Sequence, residues 1–365
     1  MVDLLIVGAG PAGCIIAERA ANEGRSVLLI DRRPHLAGNC HDSHHASGVL
    51  IHRYGPHYFR TNSESLVRYL SAFTEWIPAA YEVRASVGGD LYHFPINLTT
   101  LERFFGRELD AESAEHLLAS ERIPCESPAN SEEYVLSRVG RRLFDAFYRG
   151  YTRKQWGRDA SQLAPSVCGR IPVRLNRDCR YVDAAFQQMP AEGFTELFRR
   201  MTANRRIQIE LGADYRDLRD VDRRATVWTG PIDEYFGHRF GPLPYRSLAF
   251  DFQAHDREYV QPCVQVNYPD ESVPFTRAVE IKHVTGQRHE KTVVSVEYPR
   301  SSGEPYYPVP DPSSAALYAK YKALADATPS TFFVGRLAEY RYYNTDEVML
   351  RALAAWEGEI RPSLY

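Results

Sequence analysis

The polarity pattern at the start of the chain changes period three times in quick succession. Leu4, Leu5, Ile6 and Val7 form an unbroken apolar run, followed at once by Gly8-Ala9-Gly10-Pro11-Ala12-Gly13. The run is too short for a free helix and predicts a buried strand. Cys14, Ile15, Ile16, Ala17 and Ala20 then recur as one face of a helix. A second apolar run, Ser26 to Ile30, predicts another strand and ends in Asp31. Strand, glycine turn, helix, strand and acid, in this order, form a dinucleotide-binding unit. Gly8 allows the tight turn, Gly10 lets backbone approach a pyrophosphate, and Gly13 lets the helix pack on the strand. The helix N-terminus favours phosphate, and Asp31 can accept from a ribose hydroxyl.

Further along, alternating runs flank Gly88-Gly89 within residues 79–97, which predicts a hairpin. From about 99 to 150 the pattern is helical. Asn130-Ser131-Glu132-Glu133 marks a helix start, and Val135, Val139, Leu143, Phe147 and Tyr151 predict one face of a long helix. Runs at 207–215 and 225–233 read as strands, and alternation between about 244 and 300 predicts a meandering antiparallel sheet. Thr331 to Gly335 reads as a buried strand, Arg336 to Tyr343 as a loop, and a helix is expected from Asn344-Thr345 through Trp356. The expected domains are therefore discontinuous. Residues 1–78, 205–243 and 325–365 form a Rossmann-like domain, 98–195 a helical insert with a flap, and 79–97 with 244–324 a sheet domain.

Composition narrows the class. The length of 365 residues suits two or three domains, and 44% apolar with 25% charged residues is ordinary for a globular chain. A net charge of -3 does not point to nucleic acid. No apolar run approaches a membrane span, and the apolar N-terminus reads as a strand, not a signal peptide. The 6 cysteines form no CxxC pair, which suggests a reduced, cytoplasmic protein. Cys40, His41, His44 and His45 are crowded, but no second ligand cluster accompanies them. A solvated loop, with no metal, is the expectation.

Three stretches carry chemistry that packing alone does not require. His57, Tyr58, Phe59 and Arg60 follow the Gly55-Pro56 break. FYRGYTRKQWG, at the end of the helical stretch, mixes aromatic and basic groups. Arg170, Arg174, Arg177 and Arg180 lie on a loop where Pro172 prevents a helix, which suits either a flap over an anion or a solvated linker. The 23 tyrosines suit a sugar or nucleotide cleft.

The motifs GYTRKQWGRD, GRIPVRL, TGPIDEYF, VPFTR, EPYYPV and GRLAEYRYYN, in this order, resemble the bacterial UDP-galactopyranose mutase family over nearly the whole chain. The resemblance implies an α/β flavoprotein: a Rossmann-like FAD-binding domain with an inserted helical domain and a six-stranded antiparallel sheet. It implies an isomerase that interconverts pyranose and furanose forms of a UDP-sugar with no net redox change. N5 of reduced FAD attacks the anomeric carbon as UDP departs. Arg170 matches the flap arginine and Arg277 a second diphosphate arginine. Tyr181, Tyr307 and Tyr342 match tyrosines that bond the diphosphate. Phe147, Tyr151, Thr152 and Trp156 match the uridine and sugar wall, and Asn267 a uridine-side contact. His57 and Arg336 match groups beside the flavin and sugar. With Gly8, Gly10, Gly13 and Asp31, the residues Arg32, Gly38, Asn39 and Gly335 complete the expected cofactor set. An external reductant such as NAD(P)H and a homodimer are also implied.

Two positions depart from the family pattern. Arg60 stands where most members have histidine, and Asn344 where the usual tyrosine pair is followed by aspartate. Tyr81 to Arg84 differ as well. Arg60 adds donors beside the hexose, which suggests UDP-N-acetylgalactosamine as a substrate besides UDP-galactose. A flavin oxidoreductase related to amine oxidases shares the glycine fingerprint, but does not call for Arg170, Arg277 or the tyrosines. A binding protein that lost catalysis is a third reading, supported mainly by Asn344.

Overall fold

The computed structural model describes all 365 residues. Its organising layer is a five-stranded sheet in the order Ile207–Leu211, Val27–Asp31, Val2–Val7, Arg223–Trp228 and Thr331–Phe333. Every neighbouring pair is parallel. Val2–Val7 is central, and its Leu4, Leu5 and Ile6 are fully buried, as a strand covered on both faces requires. Helices Pro11–Asn22 and Thr345–Ala355 pack against each other over this sheet. The first and last parts of the chain thus meet in one domain.

A second sheet has seven strands: Tyr307–Pro308, Tyr245–His255, Thr292–Arg300, Arg277–Val279, Gln265–Asn267, Val83–Val87 and Asp90–Phe94. The expected meander is antiparallel except at one place. Gln265–Asn267 pairs with Val83–Val87 in parallel. The hairpin Val83–Phe94 reaches this edge from far away in sequence, and the long intervening segment supplies the crossover a parallel pair needs. The hairpin itself lies where Gly88-Gly89 placed it.

Two expectations for the helical insert need correction. Phe186–Pro190 is a strand, flanked by Arg60–Thr61 and Trp76–Pro78, so the stretch 98–195 does not end as helix and flap. The reason is burial: Phe186 lies 5.1 Å from Trp76 and 5.9 Å from Phe59, centroid to centroid. Nor is the long helix continuous. Ser131–Leu143 is broken at Gly140, where φ is 78° and a Cβ would lie 2.1 Å from the Glu121 carbonyl oxygen. A π-helical stretch, Phe144–Arg149, follows, and then the α-helix Gly150–Trp156. In the last segment Trp156 lies 6.2 Å from Tyr307 of the second sheet, centroid to centroid.

That segment is fastened to the sheet chiefly through Lys154, beside an Arg153–Glu271 ion pair at 3.1 Å. Lys154 Nζ donates to the carbonyl oxygens of Tyr268 (2.5 Å), Asp270 (2.7 Å), Val273 (3.0 Å) and Phe275 (2.8 Å). Gly150 permits the close approach, since a Cβ there would stand 2.1 Å from the Pro269 oxygen. Gly150→Ala is therefore expected to destabilise the protein by about 1–3 kcal/mol, the usual range for overpacking. A urea unfolding midpoint equal to that of wild type would show that the helix and loop can separate without cost.

Candidate active site

Two cavities share a wall. The first is a trench of about 1220 Å³ over the C-terminal ends of the parallel strands, and the second is a cleft of about 1700 Å³, each counted to its open mouth. Asn39, His57, Arg336, Tyr343, Asn344 and Thr345 line both.

Backbone forms the trench floor. Gly8 has φ +106°, and a Cβ there would lie 2.0 Å from Thr229 Oγ1. A Cβ on Gly38 would lie 2.9 Å from Gly10 Cα, so the two glycine turns abut and leave no room for side chains. Gly10 caps the helix Pro11–Asn22, whose first amides point to this floor. Asp31 Oδ2 accepts from Ala9 N and Oδ1 from Arg33 N, both at 2.8 Å. The carboxylate thus holds the glycine turn, and each oxygen keeps a lone pair for a ligand hydroxyl. Gly335, with φ +112°, closes the far side. Arg32 lines the mouth but is paired with Glu234 and Glu304, each at 3.3 Å. Gly13 lines neither cavity. A Cβ there would meet the Gly8 oxygen at 1.9 Å, so its part is packing and not cofactor contact. A backbone-lined floor, a helix N-terminus and an acid at the second strand's end together fit a dinucleotide.

The cleft gathers Arg60, Phe147, Tyr151, Thr152, Trp156, Arg170, Tyr181, Asn267, Arg277, Tyr307 and Tyr342. Strand register places one group. Asn267, Arg277 and Glu297 lie opposite one another across three strands. Arg277 Nε donates to Glu297 Oε2 at 2.7 Å, and Glu297 is fully buried. Burial raises the Glu297 carboxyl, although Arg277 pulls it down. Asn267 Oδ1 accepts from Gln265 Nε2 at 2.7 Å, and Tyr81 Oη donates to Gln265 Oε1 at 2.8 Å.

Cations and tyrosines interleave on the other wall. Arg170 lies 4.4 Å from the Tyr342 ring centroid, and Arg336 5.2 Å from Tyr342 and 5.3 Å from Tyr307. Tyr342 stacks on Tyr307 at 5.7 Å. Desolvation alone would raise the Tyr342 hydroxyl, but Arg170, Arg336 and Arg277 outweigh it and lower it to about 8. Phe147 joins the Tyr92 and Phe94 rings, while Trp156 lies 6.2 Å from Tyr307. His57 Nδ1 sits 3.0 Å from the Gly55 carbonyl, which can only accept, so Nδ1 carries the proton and Nε2 is the acceptor. Desolvation, with His52 and Arg336 nearby, lowers His57 to about 3 and keeps the ring neutral.

Of the loop arginines, Arg170 lines the cleft and the other three do not. Arg174 pairs with Asp183, Arg177 with Glu102 and Arg180 with Asp178. The Cys40 to His45 segment is not simply solvated either. Cys40 is buried, and His41 stacks on His35 at 3.8 Å. Three potential ligand side chains do converge elsewhere: Glu82, His93 and Cys179, within 4.8 Å of one another, line neither cavity. Tyr54, Thr229, Glu304 and Tyr306 line the cavities and escaped the sequence reading. Thr229, Glu304 and Tyr306 fall inside the motifs TGPIDEYF and EPYYPV, which marked them without assigning them.

Fold and site define an α/β protein whose Rossmann-like nucleotide trench opens onto a cationic, tyrosine-walled cleft. Family models agree: residues 146–342 match the UDP-galactopyranose mutase model and residues 6–73 an NAD(P)-binding Rossmann-like domain. The chain is 36% identical to the "Probable UDP-galactopyranose mutase" of Klebsiella pneumoniae, covering 96% of this chain and 93% of that protein. It is 35% identical to the dTDP-fucopyranose mutase of Escherichia coli, with 97% of each covered. The crystal structure of a reduced UDP-galactopyranose mutase superposes with a TM-score of 0.78 at 16% identity, covering 100% of this chain and 99% of that one. A putrescine oxidase shares the fold at TM-score 0.57 and 12% identity, over 99% of both chains. The chain belongs to the UDP-galactopyranose mutase family, which makes it an enzyme of the isomerase type. No helix is long and apolar enough to cross a membrane.

The lowered Tyr342 hydroxyl predicts a pH dependence for any anion that binds beside it, with UDP as the probe. Below about pH 8 the hydroxyl is a donor, and above it a phenolate adds negative charge to a site for an anion. UDP affinity is expected to fall as pH rises through 8, and Tyr342→Phe to bind more weakly at pH 7 without that fall. A wild-type profile flat to pH 9.5 would contradict this.

Proposed function

We propose that the protein interconverts pyranose and furanose forms of UDP-galactose, and also of UDP-N-acetylgalactosamine, with FAD in its reduced state. The observation that carries this reading is the shared wall. A cofactor in the trench and a nucleotide sugar in the cleft meet at Asn39, His57, Arg336 and Asn344. Reduced FAD, when bound, supplies a nucleophilic N5 for the anomeric carbon. An external reductant such as NAD(P)H keeps it reduced.

The side chains then do electrostatic and positioning work. Departure of UDP puts charge on the diphosphate, and Arg170 and Arg277 stabilise it with Tyr181, Tyr307 and Tyr342 as donors. Glu297 holds Arg277 in register so that no reorientation is needed as charge develops. Phe147, Tyr151, Thr152 and Trp156 offer faces for the base and sugar, and Asn267 offers an amide to the uracil. Arg336 fixes the sugar end against the cofactor. Neutral His57 presents Nε2 as an acceptor there, without adding a charge. Arg60 adds donors suited to an N-acetyl carbonyl.

The decisive test is to incubate dithionite-reduced protein with UDP-galactose and with UDP-N-acetylgalactosamine, and to look for furanose products without stoichiometric loss of reductant. The protein should purify yellow and be inactive while oxidised. Full activity in air without reductant would overturn the mechanism. Arg170→Ala and Arg277→Ala should each lower kcat about a hundredfold, roughly 3 kcal/mol, with flavin content unchanged. Near-wild-type kcat in either variant would remove that arginine from charge stabilisation.

A further inference from the structure

Outside both cavities, three side chains with metal-binding donors converge. A carboxylate oxygen of Glu82, a ring nitrogen of His93 and the Cys179 sulfur lie within 4.8 Å of one another, and all three residues are half-buried. They come from three stretches of chain. Glu82 leads into the strand Val83–Val87, His93 lies on its partner Asp90–Phe94, and Cys179 lies on the loop beyond Arg170.

Register explains the meeting. Arg84 faces His93 across the hairpin, and Glu82 stands two residues before Arg84, so the three share one face of the sheet. Arg180 bridges antiparallel to Glu82, and Tyr181 N donates to the Tyr81 carbonyl at 2.9 Å. That pairing brings Cys179 alongside, where its Sγ donates to Glu82 Oε1 at 3.0 Å. His93 differs from its neighbours: its Nδ1 is shielded from solvent and has no hydrogen-bond partner. A buried polar atom in that condition is unfavourable until something satisfies it.

The donor set selects among cations. Thiolate and imidazole suit zinc, whereas magnesium and calcium take oxygen. Bonds of about 2.0–2.3 Å at tetrahedral angles put donor atoms roughly 3.3–3.7 Å apart. Donors already within 4.8 Å can close to that spacing by side-chain rotation, and water can complete the coordination. On binding, the Cys179 S–H bond breaks, a sulfur–metal bond forms and the proton passes to solvent. A dication with one thiolate and one carboxylate is neutral overall. Of the nearby charges, Asp178 and Arg180 pair with each other at 2.7 Å, while Arg84 stands beside the site and opposes a cation.

We propose that Glu82, His93 and Cys179 form a site for a zinc-class divalent cation, which ties the loop leading to Tyr181 onto the hairpin Val83–Phe94. The tie lies just behind the cleft. Glu82 directly follows Tyr81, Cys179 comes two residues before Tyr181, and both tyrosines line the cleft with ring centroids 6.2 Å apart. Binding of the ion needs neither flavin nor sugar, so it stands or falls apart from the mutase reading.

The test uses the purified full-length protein, stripped with EDTA and desalted. Zinc is titrated against a chromophoric chelator, and cobalt(II) is added separately and followed by difference absorption. Wild type should take up one equivalent of zinc, and cobalt should give a thiolate charge-transfer band. Glu82→Gln, His93→Gln and Cys179→Ser should each weaken zinc about tenfold or more, and Cys179→Ser should abolish the band. Cys125→Ser, at another half-buried cysteine, should leave both unchanged. Arg84→Gln removes no donor and should tighten zinc, an outcome that holds even where a ligand variant fails to fold. Zinc should also slow amide exchange around Tyr181 in wild type but not in Cys179→Ser. Zinc bound equally by wild type and the three ligand variants is adventitious and overturns the proposal. So does a cobalt spectrum without the thiolate band, or amide exchange around Tyr181 that zinc leaves unchanged.

Discussion

Like-charge repulsion is the constraint that this site must satisfy before it can do anything else. Arg60, Arg170, Arg277 and Arg336 open onto one cleft, and Glu297 is the buried carboxylate paired there, with Arg277. The fold contains the remaining repulsion with aromatic faces and neutral dipoles: Tyr307 and Tyr342 between guanidiniums, and the Asn344 amide under Arg60. A cleft assembled this way favours an anion, which brings the charge that the protein withholds.

How much of this was legible in the chain depends on how local each signal is. Strand, glycine turn, helix and acid lie within a short stretch, and each is dictated by period or by the space a Cβ needs. The hairpin around Gly88-Gly89 is equally local. The strand Phe186–Pro190 was missed because its reason for existing, the Phe59 and Trp76 rings, lies over a hundred residues away. The parallel pairing of Gln265–Asn267 with Val83–Val87 has the same origin. The break at Gly140 is set by a carbonyl of a neighbouring helix, which periodicity along one helix cannot register.

The cleft shows the limit more sharply. Composition marked Arg170, Arg174, Arg177 and Arg180 alike, and only their partners separate them. Asp183, Glu102 and Asp178 claim the last three, leaving Arg170 for the cleft. Tyr307, Asn267 and Arg277 came from family resemblance, since no spacing relates them. Their reason for proximity is strand register, with Asn267 opposite Arg277 and Arg277 opposite Glu297. The motifs that carried the resemblance also held Thr229 and Glu304, whose place in the trench becomes visible only when the parallel strands are assembled.

The Lys154 ammonium, bound to four carbonyls of one loop, gives the cleft a property beyond charge. It joins the helix bearing Tyr151, Thr152 and Trp156 to the inner strands bearing Asn267 and Arg277. These two walls cannot drift apart independently, so the cleft has a fixed gauge: whatever it binds must fit one span between the Trp156 ring and the Arg277 guanidinium.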